Sequence, residues 1–146
     1  MAFLQSLDIS SSALTSQRLR MDVVSQNVAN INTTRDADGN PYTRRFVIFQ
    51  EKGAVSFSDT LNRSIAGTAG KGVRVIDIVE DDAEYKIDYD PTHPDADEFG
   101  YVTYPNVELA KEMVDMMSAT RSYEANVTVF NSTKSMVMTG LEIGKA

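Results

Sequence analysis

From Asn106 to Thr139 the chain reads "NVELAKEMVDMMSATRSYEANVTVFNSTKSMVMT", with no glycine or proline to interrupt it. Within and just beyond this run, Leu109, Met113, Met116, Thr120, Tyr123, Val127, Phe130, Lys134, Val137 and Leu141 fall at alternating spacings of four and three. Eight of these ten are apolar, the heptad seam of a long helix. Pro105 and Asn106 supply its start, Glu108 and Glu112 sit near the positive end of its dipole, and Gly140 loosens its far end. A weaker stripe runs through the N-terminal region. Leu7, Leu14, Met21 and Val28 are seven apart, with Phe3, Val24 and Ile31 at companion positions, but Ser10 and Gln17 hold the remaining companions. This pattern predicts a helix from about Ser10 to Asn32, capped by Ser10, Ser11 or Ser12.

Between these segments the period shortens. "YTRRFVIFQ" (42–50), "GVRVIDIVE" (72–80), "EYKIDY" (84–89) and "GYVTY" (100–104) are rich in β-branched and aromatic residues and read as strands. In the second of them Val73, Val75 and Asp77 are expected on one face, and Arg74, Ile76 and Ile78 on the other. The 51–71 stretch, glycine-rich toward its end, is expected to be a flexible surface loop. The fold class is therefore α+β: a long antiparallel helical hairpin or coiled coil from the two termini (1–35 plus 105–146), with a small β-rich insertion (36–104). A 34-residue helix would be about 51 Å long, whereas a compact globule of this size is about 38 Å across. The molecule is expected to be elongated, its apolar stripes covered by something outside itself.

Composition narrows the function. With a formal charge of −7 the chain offers no basic surface for nucleic acid. No apolar run reaches the length of a membrane span, and "MAFLQSLDISSS" lacks the basic and apolar regions of a cleavable signal. Cysteine is absent, so disulfides, thiolate metal sites and Cys–His chemistry are excluded. The single histidine, His93, lies in the turn-like "YDPTHPDADEFGY" between Pro91 and Pro94 and reads as a solvated loop residue. "DADGN" (36–40) starts like a calcium loop, with Asp36, Asp38 and Asn40, but Pro41 and Val47 stand where glycine and a bidentate glutamate are required. A tight turn remains. Gly67, Gly70 and Gly72 match no nucleotide fingerprint, and "EDDAE" (80–84) reads as a solvated strand end. No catalytic residue, metal or cofactor is expected. The methionines at 113, 116, 117, 136 and 138 could form an adaptable binding face, but residues at helical spacing are more often core; the two readings converge where a seam is core that one chain cannot bury alone.

Asparagines are the unusual feature. Asn27 and Asn30 share one helical face and Asn32 follows at the frayed end, where its tolerance of the left-handed conformation suits a helix terminus. A neutral amide can also fix register between packed helices. Asn126 and Asn131 on the C-terminal helix are the expected counterparts. Arg121 is expected to pair with a neighbour's carboxylate or, equally, with Glu124 on its own helix.

"SALTSQRLRMDVVSQNVANINT" (12–33) resembles the N-terminal signature of the bacterial flagellar rod and hook axial protein family, whose helix ends in an Asn-Ile/Leu-Ala-Asn-x-x-Thr run; Val28 occupies the Ile/Leu position. "PNVELAKEMVDMMSATRSYEANVTVFNSTKSM" (105–136) resembles the C-terminal signature, with its Arg-Ser-Tyr-Glu-Ala-Asn core at 121–126. "DGNPYTRRFVIFQ" and "YDPTHPDADEFGYVTYPNV" are similar to short, proximal-rod members. The 51–71 loop matches nothing in the family pattern.

The resemblance implies a structural subunit of the flagellar basal body, in the proximal part of the rod that crosses the periplasm, transmits torque and forms the export channel. It implies export through the flagellar type III apparatus without a cleaved signal, and no activity or cofactor. The implied partners are other copies, the rod proteins FlgB, FlgF and FlgG, the adaptor FliE, and the MS ring, with no nucleic acid and no membrane insertion. On the residues themselves, Leu7, Leu14, Met21, Val24, Val28, Ile31, Leu109, Met113, Met116, Tyr123, Val127, Phe130 and Val137 are the expected subunit seam. Asn27, Asn30, Asn32, Arg121, Glu124, Asn126 and Asn131 are its expected polar, register-setting members. The rival readings are a soluble helical adaptor that binds a partner helix without polymerising, and a small hydrolase using His93 with the acids at 95, 97 and 98.

Overall fold

The structure, a computed structural model, describes residues 2–36, 39–53, 58, 61 and 71–144. Its elements are α1 (Ala2–Ala29), β1 (Arg45–Glu51), β2 (Val73–Glu80), β3 (Lys86–Tyr89), β4 (Tyr101–Tyr104) and α2 (Leu109–Ile143). It is an α+β fold of two long terminal helices with two small antiparallel sheets between them in sequence. Most of the expected 51–71 loop, and Asp38 of the "DADGN" turn, lie outside the described residues.

α1 starts well before the expected serine cap. The hydroxyls of Ser12, Thr15 and Ser16 turn back onto the carbonyls of Ile9, Ser11 and Ser12, a bond available within a helix, so the serines do not end it. The helix stops at Ala29. Asn30 then closes the turn, its Nδ2 donating to Gln26 O (2.9 Å) and its Oδ1 accepting from the Thr33 hydroxyl (3.2 Å). α2 starts three residues later than Asn106, with Glu108 as its extended N-cap, and runs through Gly140 to Ile143. The delay has a tertiary cause. Asn106 Oδ1 accepts the Arg44 backbone N–H (2.7 Å), and its Nδ2 donates to the carbonyls of Asp81 (2.8 Å) and Ala83 (3.0 Å). Val107 O receives Lys86 Nζ at 2.8 Å.

The helices pack antiparallel along their lengths. Arg20 bonds Asp115 across them, Thr120 bonds Met21, and Asn27 bonds Glu112. α2 alone is about 52 Å long at 1.5 Å per residue. The β1–β2 ribbon lies along another side of α1. The end at which the strands are connected is joined to the middle of α1 by the Val73 N–H, which donates to the Ser12 hydroxyl (3.1 Å). Gly72, at φ +99°, makes that approach possible, since a Cβ there would strike the Ser12 hydroxyl and sit 3.3 Å from Ile9 Cα. Within the ribbon Ile48 pairs with Asp77 but Phe49 with Val75, leaving Ile76 unpaired in a bulge. The expected alternation of β2 breaks there, and Val75 and Ile78 oppose Phe49 and Val47.

β3 and β4 form a separate two-stranded sheet at the end where α1 finishes and α2 starts. It meets the rest of the chain through connecting segments: Lys86 to Val107 O, Tyr85 to Thr43, and Asp95 to Thr34. The buried apolar core is small among the described residues, comprising Val23, Val24, Val102, Val107 and Ala119. Accessible surface is 10164 Å², against about 7,400 Å² for a compact 16.1 kDa monomer. The molecule is elongated and exposes much of its apolar surface.

Candidate assembly interface

Asn27 is fully buried. Its Nδ2 donates to Arg45 O (2.7 Å) and to Glu112 Oε2 (2.9 Å). Its Oδ1 accepts the Tyr42 hydroxyl (2.9 Å) and the Arg45 N–H (3.0 Å). Two donors and two lone pairs are all used. One side chain therefore joins α1 to the head of β1 and the first turn of α2. The expected partners, Asn126 and Asn131, are elsewhere. Asn126 Nδ2 returns to Ser122 O on its own helix (2.8 Å), Asn131 is exposed, and Asn32 is exposed in the turn after α1. All four bonds of Asn27 are made within the one chain.

Glu112, also fully buried, receives Arg44 Nε on Oε1 at 2.6 Å. Arg44 reaches Asp81 (3.0 Å) and Asp115 (3.4 Å) with its other nitrogens, and Asp115 also accepts Arg20 (2.8 Å). Burial by itself would lower the Arg44 pKa, but hydrogen bonds and charge from Glu112, then Asp81, outweigh it and hold the guanidinium above its usual value. Burial raises the Tyr42 phenol; Arg45 opposes the shift, and Glu112 and Glu80 add to it. This knot ties both helices to the ribbon. Sequence reasoning missed Arg44, Tyr42, Asp81, Asn106 and the buried role of Glu112. A signal was present in "RR" at 44–45. Neighbouring side chains at the head of a strand point to opposite faces, so one arginine had to turn inward.

The seam is also displaced from its expected course. On α1, Val24 is buried and Leu7, Leu14, Met21, Val28 and Ile31 are half-buried, so much of this stripe is already covered within the chain. On α2 the covered face follows Glu112, Met116, Ala119, Tyr123, Asn126, Phe130, Thr133 and Val137. Met116, Tyr123, Phe130 and Val137 were expected there, and Val127 lies half-buried at its side. Leu109 and Met113, also members of the expected subunit seam, lie off this covered face and are exposed in the single chain. The reason is geometric: the two helices approach through small or anchored side chains such as Ala119, Thr133 and Glu112, which an apolar count passes over. Arg121 and Glu124 are exposed, and no ion pair joins them among the described residues.

Displacement leaves α2 with uncovered apolar surface. Met113 (56% exposed), Val114 and Met117 (52%) lie near its start, and Met136, Met138, Leu141 and Ile143 near its end. Between the end of α1 and the start of α2 lies an open apolar groove of about 430 Å³, lined by Ser25, Val28, Ala29, Met113, Met116 and Met117. Monomeric proteins rarely expose contiguous apolar surface of this kind unless it receives a partner. The other candidates are used locally. His93 Nδ1 accepts the Asp95 N–H at 3.1 Å within its turn, and Asp36 closes the 36–40 turn through bonds with Gly39 and Asn40. Hydrogen bonds from the Thr92 side chain and backbone hold the exposed Asp90 carboxyl below its usual range. No helix among the described residues is long and apolar enough to cross a membrane.

An internally tied helical hairpin with its apolar faces turned outward defines an elongated, association-prone structural subunit. Two family models match the parts that build it: "Flagella basal body rod protein" over residues 7–35, and "Flagellar basal body rod FlgEFG protein C-terminal" over residues 100–143. The chain is 55% identical to the flagellar basal-body rod protein FlgC of Bacillus subtilis, over 99% of this chain and all of that one. It is 46% identical to FlgC of Borreliella burgdorferi over 98% of both chains, and 41% identical to FlgC of Salmonella typhimurium over 99% of this chain and all of the relative. The chain belongs to the FlgC family of flagellar basal-body rod proteins.

Proposed function

We propose that this rod subunit of the flagellar basal body joins its neighbours through the uncovered face of α2 and the groove between Val28 and Met113. The uncovered apolar surface at Met113, Val114 and Met117 is the observation that carries this reading. Within the proposed seam, the α1 members together with Met116, Tyr123, Phe130 and Val137 hold the hairpin closed, and Leu109 and Met113 meet neighbours. Residues 1–35 and 105–146 form the axial core. Residues 36–104 stand outward, with the ribbon anchored to α1. The neighbours proposed are other copies, FlgB, FlgF, FlgG, FliE and the MS ring. The subunit acts by holding shape and carrying load, with no catalytic step. A core of so few buried apolar residues supports passage of the unfolded chain through the type III export apparatus.

Met113→Asp and Met117→Asp place a charge on this surface. In the purified monomer each should change stability by no more than about 0.5 kcal/mol, as is usual for exposed sites. In cells each should abolish rod completion and motility. Normal motility with both variants would remove this face from assembly.

A further inference from the structure

We propose that the outer face of the β3–β4 sheet docks a lysine- and arginine-bearing surface of a different basal-body protein; this rests on the assembly role proposed above. The cross-strand pairs Ile87–Thr103 and Tyr89–Tyr101 put these four side chains on one face of the sheet, because strand side chains alternate. The opposite face carries Val102, which is fully buried. The outer face is open. Ile87 is 70% exposed and Tyr89 62%, and the exposed Phe99 precedes β4. Tyr89 and Tyr101 stand edge to face with ring centroids 5.3 Å apart, forming a rigid aromatic ledge.

Charge identifies the partner. Residues 80–104 hold nine carboxylates and one basic side chain, Lys86, a formal −8 in a chain whose total is −7. Three of the nine are answered from outside the segment: Glu80 by Arg45, Asp81 by Arg44 and Asp95 by Arg35. Asp82, Glu84, Asp88, Asp90, Asp97 and Glu98 remain, and Lys86 is directed to Val107 O. Once those three arginines are assigned to their carboxylates, the rest of the chain carries a formal −2. A second copy therefore has no net positive charge with which to neutralise this face. Two such faces brought together would repel, at a cost of several kcal/mol for closely juxtaposed like charges. Asp97 accepts the Phe99 and Tyr101 N–H groups, and Asp90 and Glu98 adjoin Tyr89 and Phe99 in sequence, so carboxylates border the aromatic rings at the turn end of the sheet, where guanidinium and ammonium groups can stack on the rings and pair with the acids. The occupant is a basic face of another protein.

Photo-crosslinking in intact basal bodies tests this. A benzophenone amino acid replaces Tyr89 in one strain and Met117, on the assembly face, in another. The Tyr89 probe is expected to mark a protein other than this chain, within a peptide bearing lysine or arginine. The change Glu98→Lys, beside Phe99, should lower that yield by roughly tenfold and leave the Met117 adduct unchanged. An adduct on a second copy, an adduct on a peptide without basic residues, or indifference to the charge change would overturn the proposal. So would silence at Tyr89 while Met117 crosslinks. Silence at both positions would overturn the assembly reading, and this proposal with it.

Discussion

Asn27 and Gln17 are two amide side chains that α1 turns against the rest of the chain, and they have opposite outcomes. Asn27 fills all four of its hydrogen bonds, whereas Gln17 Oε1 is buried without a partner among the described residues. Asn27→Ala would strand the Arg45 amide and a Glu112 oxygen away from water. The expected loss is about 3 kcal/mol, a fall in melting temperature of roughly 10 °C by calorimetry. Gln17→Leu removes the unmet oxygen and should stabilise the monomer by about 1 kcal/mol in urea titration. Tyr42 gives the knot a pH dependence. Its folded phenol titrates above the unfolded one, so its contribution is complete below about pH 10 and is lost as pH rises through the folded value. Tyr42→Phe should flatten that alkaline branch of stability. At this scale the sequence marked Asn27 as out of place in a helix but gave no partner. Its partner Glu112 and the neighbouring pair Tyr42 and Arg44 come from two other stretches, and only the tertiary fold brings them to Asn27.

Element by element, the hydrophobic period carried most of the information. Three of the strands lie inside the stretches where β-branched and aromatic residues cluster, β1 overruns its stretch by one residue at Glu51, and both helices form where the heptads run. Boundaries were less legible, because tertiary bonds set them: Asn106 is withheld from α2 by Arg44, Asp81 and Ala83. The displacement of the α2 seam toward Glu112 and Ala119 was hidden for a related reason, since a small or ion-paired residue can lie at the closest approach. The ribbon's hold on α1 depends on Gly72. Gly72→Ala combines a positive φ with a collision at Ser12, and should speed hydrogen exchange of the β1–β2 amides while α2 amides keep their protection. Equal exchange in the variant and the native chain would mean that the ribbon is held mainly by its other contacts.

For the whole molecule, the extremities prove to be partners of each other before they are partners of anything else. The sequence made the elongated shape legible, because the helix outruns any globule the chain could form. It did not reveal how far one terminal helix satisfies the other. That depends on the antiparallel register, which Asn27–Glu112, Met21–Thr120 and Arg20–Asp115 fix within one chain. What remains uncovered is the far side of α2, the groove at Val28 and the aromatic ledge of β3–β4. The absence of native cysteine allows a direct test of this division. With Met21→Cys and Thr120→Cys in one chain, basal bodies are oxidised and separated by non-reducing electrophoresis. A hairpin closed within each subunit predicts one disulfide inside each chain and a band at monomer mass. A ladder of disulfide-linked dimers and higher species would mean that the helices pair between subunits, contradicting the internal seam.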